Sequence, residues 1–427
     1  MTTAFQKATD LYDRGQLREA LPLFQQAVDE SPEDVHVLYR AALTLMAMRR
    51  YAECAAWLSR ILPHINAKET PGWLMSAFHY NLGVTFEASG RWKMAALHMG
   101  KALTYNPEAM LPMIEMGSLA YRRGDPVAAS QWHDRALNMK PDSDDALPAL
   151  AFVKLLRGDY LGGFKDYEAR WRMPQVLSTT HRPPRHWRWK GKDLKGKRII
   201  VVSEQGIGDT IQMVRYLPMI EARGGKITLL VQQPLVSLMR YNFPSIEVID
   251  YGTHYRPAQW WISLMSCPYV FGTTLETIPS ASEPYLKAPQ TAPKDVGFMR
   301  VGYVSKGNAL HMADKDRSAP DGAFDPLFTV PGCVFIKLDE YIGLDFLGLA
   351  ELFLGLDLVI AVDTAANHLA GALGVPCWLM PQTSEWRWGL TDVAPWYRTT
   401  HKLFRRTNVN AWPEVIGRVK TALEALT

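Results

Sequence analysis

RIIVVSEQGIGDTIQMVRYLP, Arg198 to Pro218, decides how the second half of this chain folds. It opens on a short continuous apolar run, the pattern of a strand buried on both faces. A loop with two glycines and an acid follows, then a helix-like stretch that Pro218 breaks or kinks. Two phosphate-cradling motifs are excluded. A dinucleotide fingerprint requires glycine where Ile211 stands, and a Walker loop requires a Gly-Lys-Ser/Thr that is absent. What remains is a tight turn that carries Asp209 to a strand end. Gly206 and Gly208 suit positive φ or the close approach of a substrate. Asp209 has two readings: a general base taking a proton from an acceptor hydroxyl, or the cap of a helix from Ile211 to Leu217. Taken alone, these residues favour the cap.

The alternation continues downstream. KITLLV, IEVIDY and WWISLM read as further strands, and a second unit begins near Val301 with VGYVSKGN, CVFIKL, LGLAELFLGL, DLVIAV, DTAANHLAGALG and VPCWLMP. Strand, helix, strand order implies parallel sheets. Two doubly wound units, Arg198 to about Pro289 and Val301 to about Thr407, would face each other across a cleft. Ligands of such sheets bind beyond the carboxyl ends of the strands.

Three more stretches lie at such ends. In VDTAANHLAGALGVP, Asp363 and Thr364 stand at a helix start, where free amides favour an anion. His368 follows Thr364 by one turn on the same face. It suits a hydrogen bond to a phosphate or sugar oxygen, or a structural role within a capped helix. In SKGNALHMADKDRSAP, Lys306, Lys315 and Arg317 offer cations and Asn308 an amide, either for a diphosphate or as an ordinary polar loop. In SEWRWG, Trp386 and Trp388 suit stacking on a base or sugar, or packing between domains. No carboxylate pair has the form of a divalent-metal site on a strand end. The four cysteines lack any CxxC spacing, so no metal is expected.

The first 170 residues repeat. Gly90 to Gly124 and Gly124 to Gly158 are each 34 residues, and the 75 from Gly15 to Gly90 fit two units plus seven inserted. The hidden copy is RRYAECAAWLSRIL, with the insertion in PHINAKETPG. Ala20, Cys54, Ala95 and Ala129 follow the turns, Ala27, Ala102 and Ala136 close the second helices, and Pro32, Pro107 and Pro141 end the units. Period, small residues and terminal proline resemble the tetratricopeptide repeat, here four copies and a partial fifth, GDYLGGFKDYEARW. Such helix pairs stack into a superhelix, a groove for a peptide or protein, or else a spacer or a self-association surface. Its lining positions would be Gln6, Arg40, Asn81 and Glu115.

HRPPRHWRWKGKDLKGKR, His181 to Arg198, interleaves basic and aromatic residues. That pattern suits nucleic acid, but the prolines favour a connector whose tryptophans pin neighbouring domains. A net charge of only +4 on 427 residues does not support a nucleic-acid binder. The first residues lack the apolar core of a signal peptide. The most apolar window, Leu349 to Val362, falls short of the ~20 residues a membrane span takes. The expectation is a cytoplasmic protein with no transmembrane segment.

Together, GDYLGGFKDYEARW, SEQGIGDTIQMVRYLP, GTTLETIP, the GN and DRS of the third stretch, and VDTAANHLAGALGVPCWLMP with EWRW resemble bacterial tetratricopeptide proteins that carry a C-terminal glycosyltransferase domain of the heptosyltransferase-like (family 9) type. O-linked N-acetylglucosamine transferases are more distantly similar. The resemblance implies a GT-B fold: two Rossmann-like domains about a cleft, independent of metal and of any bound cofactor, with a nucleotide-sugar as co-substrate. It implies Asp209 as catalytic base, and Asn308, Arg317, Asp363, Thr364 and His368 as donor-binding residues. Implied partners are the nucleotide-sugar and a protein or glycan acceptor, with protein binding or self-association through the repeats. The expected domains are 1–170 (repeats), 171–197 (connector), 198–295 (acceptor side), 296–410 (nucleotide-sugar side) and 411–427 (amphipathic helix). The chain departs from the family at Ser305, where tryptophan is usual, at Lys306, and in a shortened segment between FIKL and LAELF. These departures leave a degenerate, non-catalytic repeat scaffold as the alternative.

Overall fold

The computed structural model describes residues 3–65, 69–173, 187–289, 297–308, 314–341, 345–382, 384–407 and 410–427. It divides into two compact units, Met1–Tyr121 with Val127–Ala146, and Arg122–Pro126 with Leu147–Thr427. The helical repeats were expected to run to residue 170. The division instead falls at Ala146, and the last helix pair belongs to the α/β unit.

The first unit is built from helical hairpins: α1 (Thr3–Asp13) with α2 (Leu17–Glu30), α3 (Val35–Ala47) with α4 (Tyr51–Ile61), α5 (Gly72–Ala88) with α6 (Trp92–Tyr105), and then α7 (Met110–Arg122) and α8 (Pro126–Met139). Each hairpin turns through one left-handed residue: Gly15 at φ 77°, Gly90 at 73° and Gly124 at 79°. In the second hairpin Arg49 takes that place at φ 60°. Lacking glycine, this turn was hidden in the sequence, although it lies one repeat length after Gly15. The small residues that follow the turns, Ala20, Cys54, Ala95 and Ala129, are completely buried, as are Ala27, Ala102 and Ala136. A larger side chain at these positions would hold the paired helices apart.

Of the supposed groove positions, Gln6 is exposed, Arg40 lies over the Tyr12 ring, and Asn81 is buried and donates to the Tyr39 hydroxyl at 2.7 Å. Asn81 is therefore engaged internally. Between α5 and α6 the Nδ1 atoms of buried His79 and His98 meet at 3.0 Å, and Tyr105 stacks on His79. Burial, the neighbouring His98 and Lys101 push His79 down to about 4.

In the second unit, α9 (Ala146–Leu156) and α10 (Tyr160–Tyr167) form the final hairpin, with Gly158 at φ 89°. Asp159 caps α10 by accepting from the Gly162 amide at 2.9 Å. Two parallel sheets follow. The first contains β1 (Arg198–Val202), β2 (Lys226–Val231), β3 (Glu247–Asp250) and β4 (Trp260–Ser263), in the order β3-β2-β1-β4. Its helices are α11 (Ile207–Met213), α12 (Leu217–Glu221), α13 (Val236–Asn242) and α14 (Cys267–Val270). The helix after the glycine loop is split, as expected from Pro218, which stands in the first turn of α12.

The second sheet contains β5 (Met299–Val304), β6 (Cys333–Lys337), β7 (Leu358–Val362), β8 (Cys377–Met380) and β9 (His401–Leu403), in the order β6-β5-β7-β8-β9. With it run α15 (Asp314–Arg317), α16 (Phe346–Leu354), α17 (Ala365–Leu373) and α18 (Trp412–Glu424). The sheets share one compact unit, because α11 packs on α17 and α13 on α16. Residues 174–186 of the connector, and the boundary expected at 295–296, lie outside the described residues. The described part of the connector runs along the first sheet: Trp189 is buried and its amide donates to Trp261 O at 2.8 Å. Among the described residues no helix is long and apolar enough to cross a membrane.

Two outcomes follow for the repeats. Arg49 is exposed and left-handed, so Arg49→Gly is expected to stabilise the first unit by about 1 kcal/mol, read as a raised denaturation midpoint. His79 takes up its proton more readily in the unfolded chain, near 6.5, than in the fold, near 4. Stability should fall as pH drops from 6.5 towards 4, by about 3 kcal/mol at the acid limit. Denaturation series across that range should show a slope that His79→Phe reduces.

Candidate functional site

The site begins at the end of β1. The chain turns sharply after Val202, and Gln205, not a glycine, takes the left-handed conformation, at φ 67°. Gly206 is extended (φ −86°, ψ 174°), so its expected role in a positive-φ turn is corrected. Gly208 serves close approach, but to protein and not to a substrate. A Cβ there would lie 2.8 Å from His368 Cδ2 and 3.3 Å from Ala365 Cα. The first turns of α11 and α17 therefore touch. Asp209 Oδ2 accepts from the Gly206 amide at 2.8 Å, which makes Asp209 the acid of a capping arrangement. Its other oxygen, Oδ1, accepts from Arg387 Nη2.

The loop between β1 and α11 is fixed from behind by the end of the last repeat. Arg170, almost fully buried, forms a bidentate pair with Glu204, 2.7 Å from Nε to Oε1 and 2.9 Å from Nη2 to Oε2. It also donates to Glu168 Oε1 at 2.8 Å, Tyr167 O at 3.0 Å and Ser266 Oγ at 3.0 Å. Gln205 donates to the Tyr167 hydroxyl. Gln232, just past β2, accepts from Ser203 at 3.2 Å and from Thr210 at 2.9 Å.

At the end of β7, the buried Asp363 accepts from Trp388 Nε1 at 2.9 Å and Asn367 Nδ2 at 3.1 Å. Its main-chain oxygen takes Arg317 Nη1 at 3.4 Å. Burial pushes the Asp363 carboxyl up, against the pull of these donors and of Arg387. Thr364 starts α17 without a side-chain cap, and its buried Oγ1 has no partner among the described residues. His368 is buried, with Nδ1 3.0 Å from the Tyr397 hydroxyl and its ring stacked on Trp388. Burial, and then Arg387, His401 and Arg215, drive it well below the usual imidazole range, so it is neutral.

Trp386 and Trp388 are 2% and 0% exposed, so their expected role in stacking on a ligand is corrected. Trp386 meets Tyr160, Phe164 and Trp396 edge to face, and Trp388 stacks on His401. The third loop is only loosely drawn in. Lys306 pairs with Asp321 at 2.9 Å, Arg317 with Asp314 at 3.1 Å, and Asn308 is exposed. Residues 309–313 and the side chain of Lys315 lie outside the described residues.

Arg387, between the two tryptophans, was given no role by sequence reasoning. Besides Asp209 it binds Glu385 Oε1 at 2.5 Å and Gln212 Oε1 at 2.9 Å. Burial pushes the Glu385 carboxyl up, with the Arg387 charge opposing. Arg215 was missed too. Its buried guanidinium donates to the carbonyls of Gln212, Pro279 and Trp396 and to the Tyr285 hydroxyl. The local signal for Arg387 was its place inside SEWRWG, and for Arg215 there was none. A cavity of about 540 Å³ opens between α13 and α16, lined by Gln233, Ser237, Arg240, Tyr241 and Asp345.

Residues 11–68 match the family model of the tetratricopeptide repeat, so the N-terminal hairpins are repeats of that kind. The chain is 25% identical, over 482 residues, to Protein FlbA of Caulobacter vibrioides, covering 90% of this chain and 80% of that protein. Among solved structures, MamA from Desulfovibrio magneticus RS-1 is 15% identical and covers 41% of this chain and 96% of its own, at a TM-score of 0.34. YrrB, described as a tetratricopeptide protein with an unusual peptide-binding site, is 15% identical and covers 41% and 87%, at a TM-score of 0.33.

The contact between α11 and α17 can be tested directly. Gly208→Ala places a methyl group against His368 and the Ala365 backbone. It is expected to destabilise the second unit by about 1–3 kcal/mol, seen as a lowered melting temperature.

Proposed function

We propose that this chain is an inverting glycosyltransferase of GT-B type, which moves a sugar from a nucleotide-sugar to a protein or glycan acceptor recruited by its repeats. One observation carries the reading. Asp209, at the carboxyl end of β1, and the Asp363, Thr364 and His368 group, at the carboxyl end of β7, come from two parallel sheets and meet where α11 packs on α17. Strand ends of facing parallel sheets are where such folds bind ligands.

In this reading the acceptor hydroxyl attacks the anomeric carbon from the face opposite the leaving group, and Asp209 takes its proton. The donor diphosphate lies at the start of α17. The amides there, the Thr364 hydroxyl, which has no partner among the described residues, and Arg317 favour its charge without a metal ion. Neutral His368 orients the first turn of α17 through Tyr397. Asn308, at the exposed edge of the third loop, faces solvent in reach of an entering ligand. The cavity beside Ser237 and Asp345 provides room past the end of β2 and at the start of α16.

A second reading, a repeat scaffold with a vestigial transferase body, draws on the dense packing of His368, Trp386 and Trp388. The two readings separate in one assay. Purified chain is incubated with radiolabelled UDP-, GDP-, CMP- and dTDP-sugars and a whole-cell protein extract, and acid-insoluble label is counted. Transfer of one label to protein is expected, and Asp209→Asn should lower it about 10²–10⁴-fold while the melting temperature stays near that of the parent chain. Undiminished transfer by that variant would remove Asp209 as the base. Absence of label from every donor would favour the scaffold.

A further inference from the structure

Arg387 reaches across to α11 with Nη2 on Asp209 and Nε on Gln212, and it is also bound within its own turn. Glu385, two residues earlier, holds Nη1 and so keeps the guanidinium compensated and oriented whatever Nη2 does. The ring of Trp386 supports the same group from 4.5 Å. Nη2 occupies Oδ1 of Asp209, and Oδ2 is already taken by the Gly206 amide. Each oxygen keeps a further lone pair, but the guanidinium lies against Oδ1 and competes there with an acceptor hydroxyl. If Nη2 lets go, Asp209 stays where it is, because the Gly206 amide still holds it.

The surroundings also say what would draw Nη2 away. Three carboxylates, those of Asp209, Glu385 and Asp363, act on this single guanidinium. An anion at the start of α17 meets Arg317 on the Asp363 carbonyl and Arg387 close to the Asp363 carboxylate. A diphosphate is a stronger competitor for a guanidinium than one carboxylate, since it offers more charge and paired oxygens.

Building on the glycosyltransferase reading, we infer that Arg387 is exchanged between two anions. It neutralises Asp209 in the arrangement described above and passes to the diphosphate of an entering nucleotide-sugar, so that donor binding itself releases the base. The reaction then balances as follows. The acceptor oxygen bonds to the anomeric carbon, and its proton moves to Asp209. The bond from that carbon to the phosphate oxygen breaks with its electron pair on the nucleoside diphosphate, and Arg387 offsets the charge that appears there. Proton transfer is disfavoured while Arg387 holds Oδ1, so donor entry precedes it.

The test is a titration of UDP, GDP, ADP, CDP and dTDP, by calorimetry and thermal shift, against the full chain, Asp209→Asn and Arg387→Lys. Asparagine keeps the shape and the Gly206 contact but no longer competes as an anion. The diphosphate bound by the parent chain should therefore bind Asp209→Asn about tenfold more tightly, an ordinary coupling between two sites. Arg387→Lys should bind it about tenfold more weakly, since lysine loses the forked geometry. A purely structural ion pair would weaken binding in both variants or in neither. If the parent binds a diphosphate and Asp209→Asn binds it no more tightly, the exchange is overturned and the glycosyltransferase reading stands. If no diphosphate binds to any of the three, both fall.

Discussion

The α/β unit depends on one buried cation, Arg170. Its guanidinium is 3% exposed and answers two carboxylates, Glu168 and Glu204, while Ser266 and the Tyr167 carbonyl take its remaining hydrogens. Burying an ion pair is favourable only when every lone pair and hydrogen finds a partner, and here nearly all do. The pair also carries information. Glu204 lies in the turn that delivers Asp209, and Arg170 lies in the last repeat, so the position of the candidate base is set by a helix pair outside both sheets. The same hairpin reaches a second place, where Tyr160 and Phe164 pack on Trp386 beside Arg387. Both sides of the Asp209–Arg387 contact are thus supported by one hairpin.

Around that contact the charge balance is tight. Asp363 and Glu385 are pushed up by burial and His368 is pushed down. His401, further down the same aromatic stack, is pushed to about 3. The imidazoles are neutral for the same reason that the carboxylates resist ionising: little water reaches this junction. The Arg387 guanidinium is what keeps Asp209, Glu385 and Asp363 compatible at close quarters.

Much of the fold was legible in the sequence because it repeats or alternates. Glycine spacing gave the hairpins, and short apolar runs gave the strands. The second copy was found from its small residues and spacing, although Arg49 stands where the other turns have glycine, while β9 escaped because three residues carry no pattern. The site was legible only in part. Asp209 and Asp363 were placed at strand ends correctly, but the role of Gly208 depends on His368, and that of Asp209 on Arg387, 178 residues away. The tryptophans of SEWRWG suggested a ligand platform. The partners of Trp386, Tyr160 and Phe164, stand in a hairpin that the repeat pattern assigned to the other half of the chain. Pairings between distant segments are decided by tertiary packing, which local pattern does not encode.

The division at Ala146 has a modular consequence. Four hairpins form an array that can be regarded as an interchangeable cassette, whereas the fifth is structurally an organ of the α/β body. Recombination at the 146/147 junction would exchange the array and keep the fifth hairpin with the α/β body. A graft made at the apparent end of the repeats, near residue 170, would remove Tyr160, Phe164 and Arg170 and dismantle the recipient. The splice point lies one hairpin earlier than the periodicity suggests.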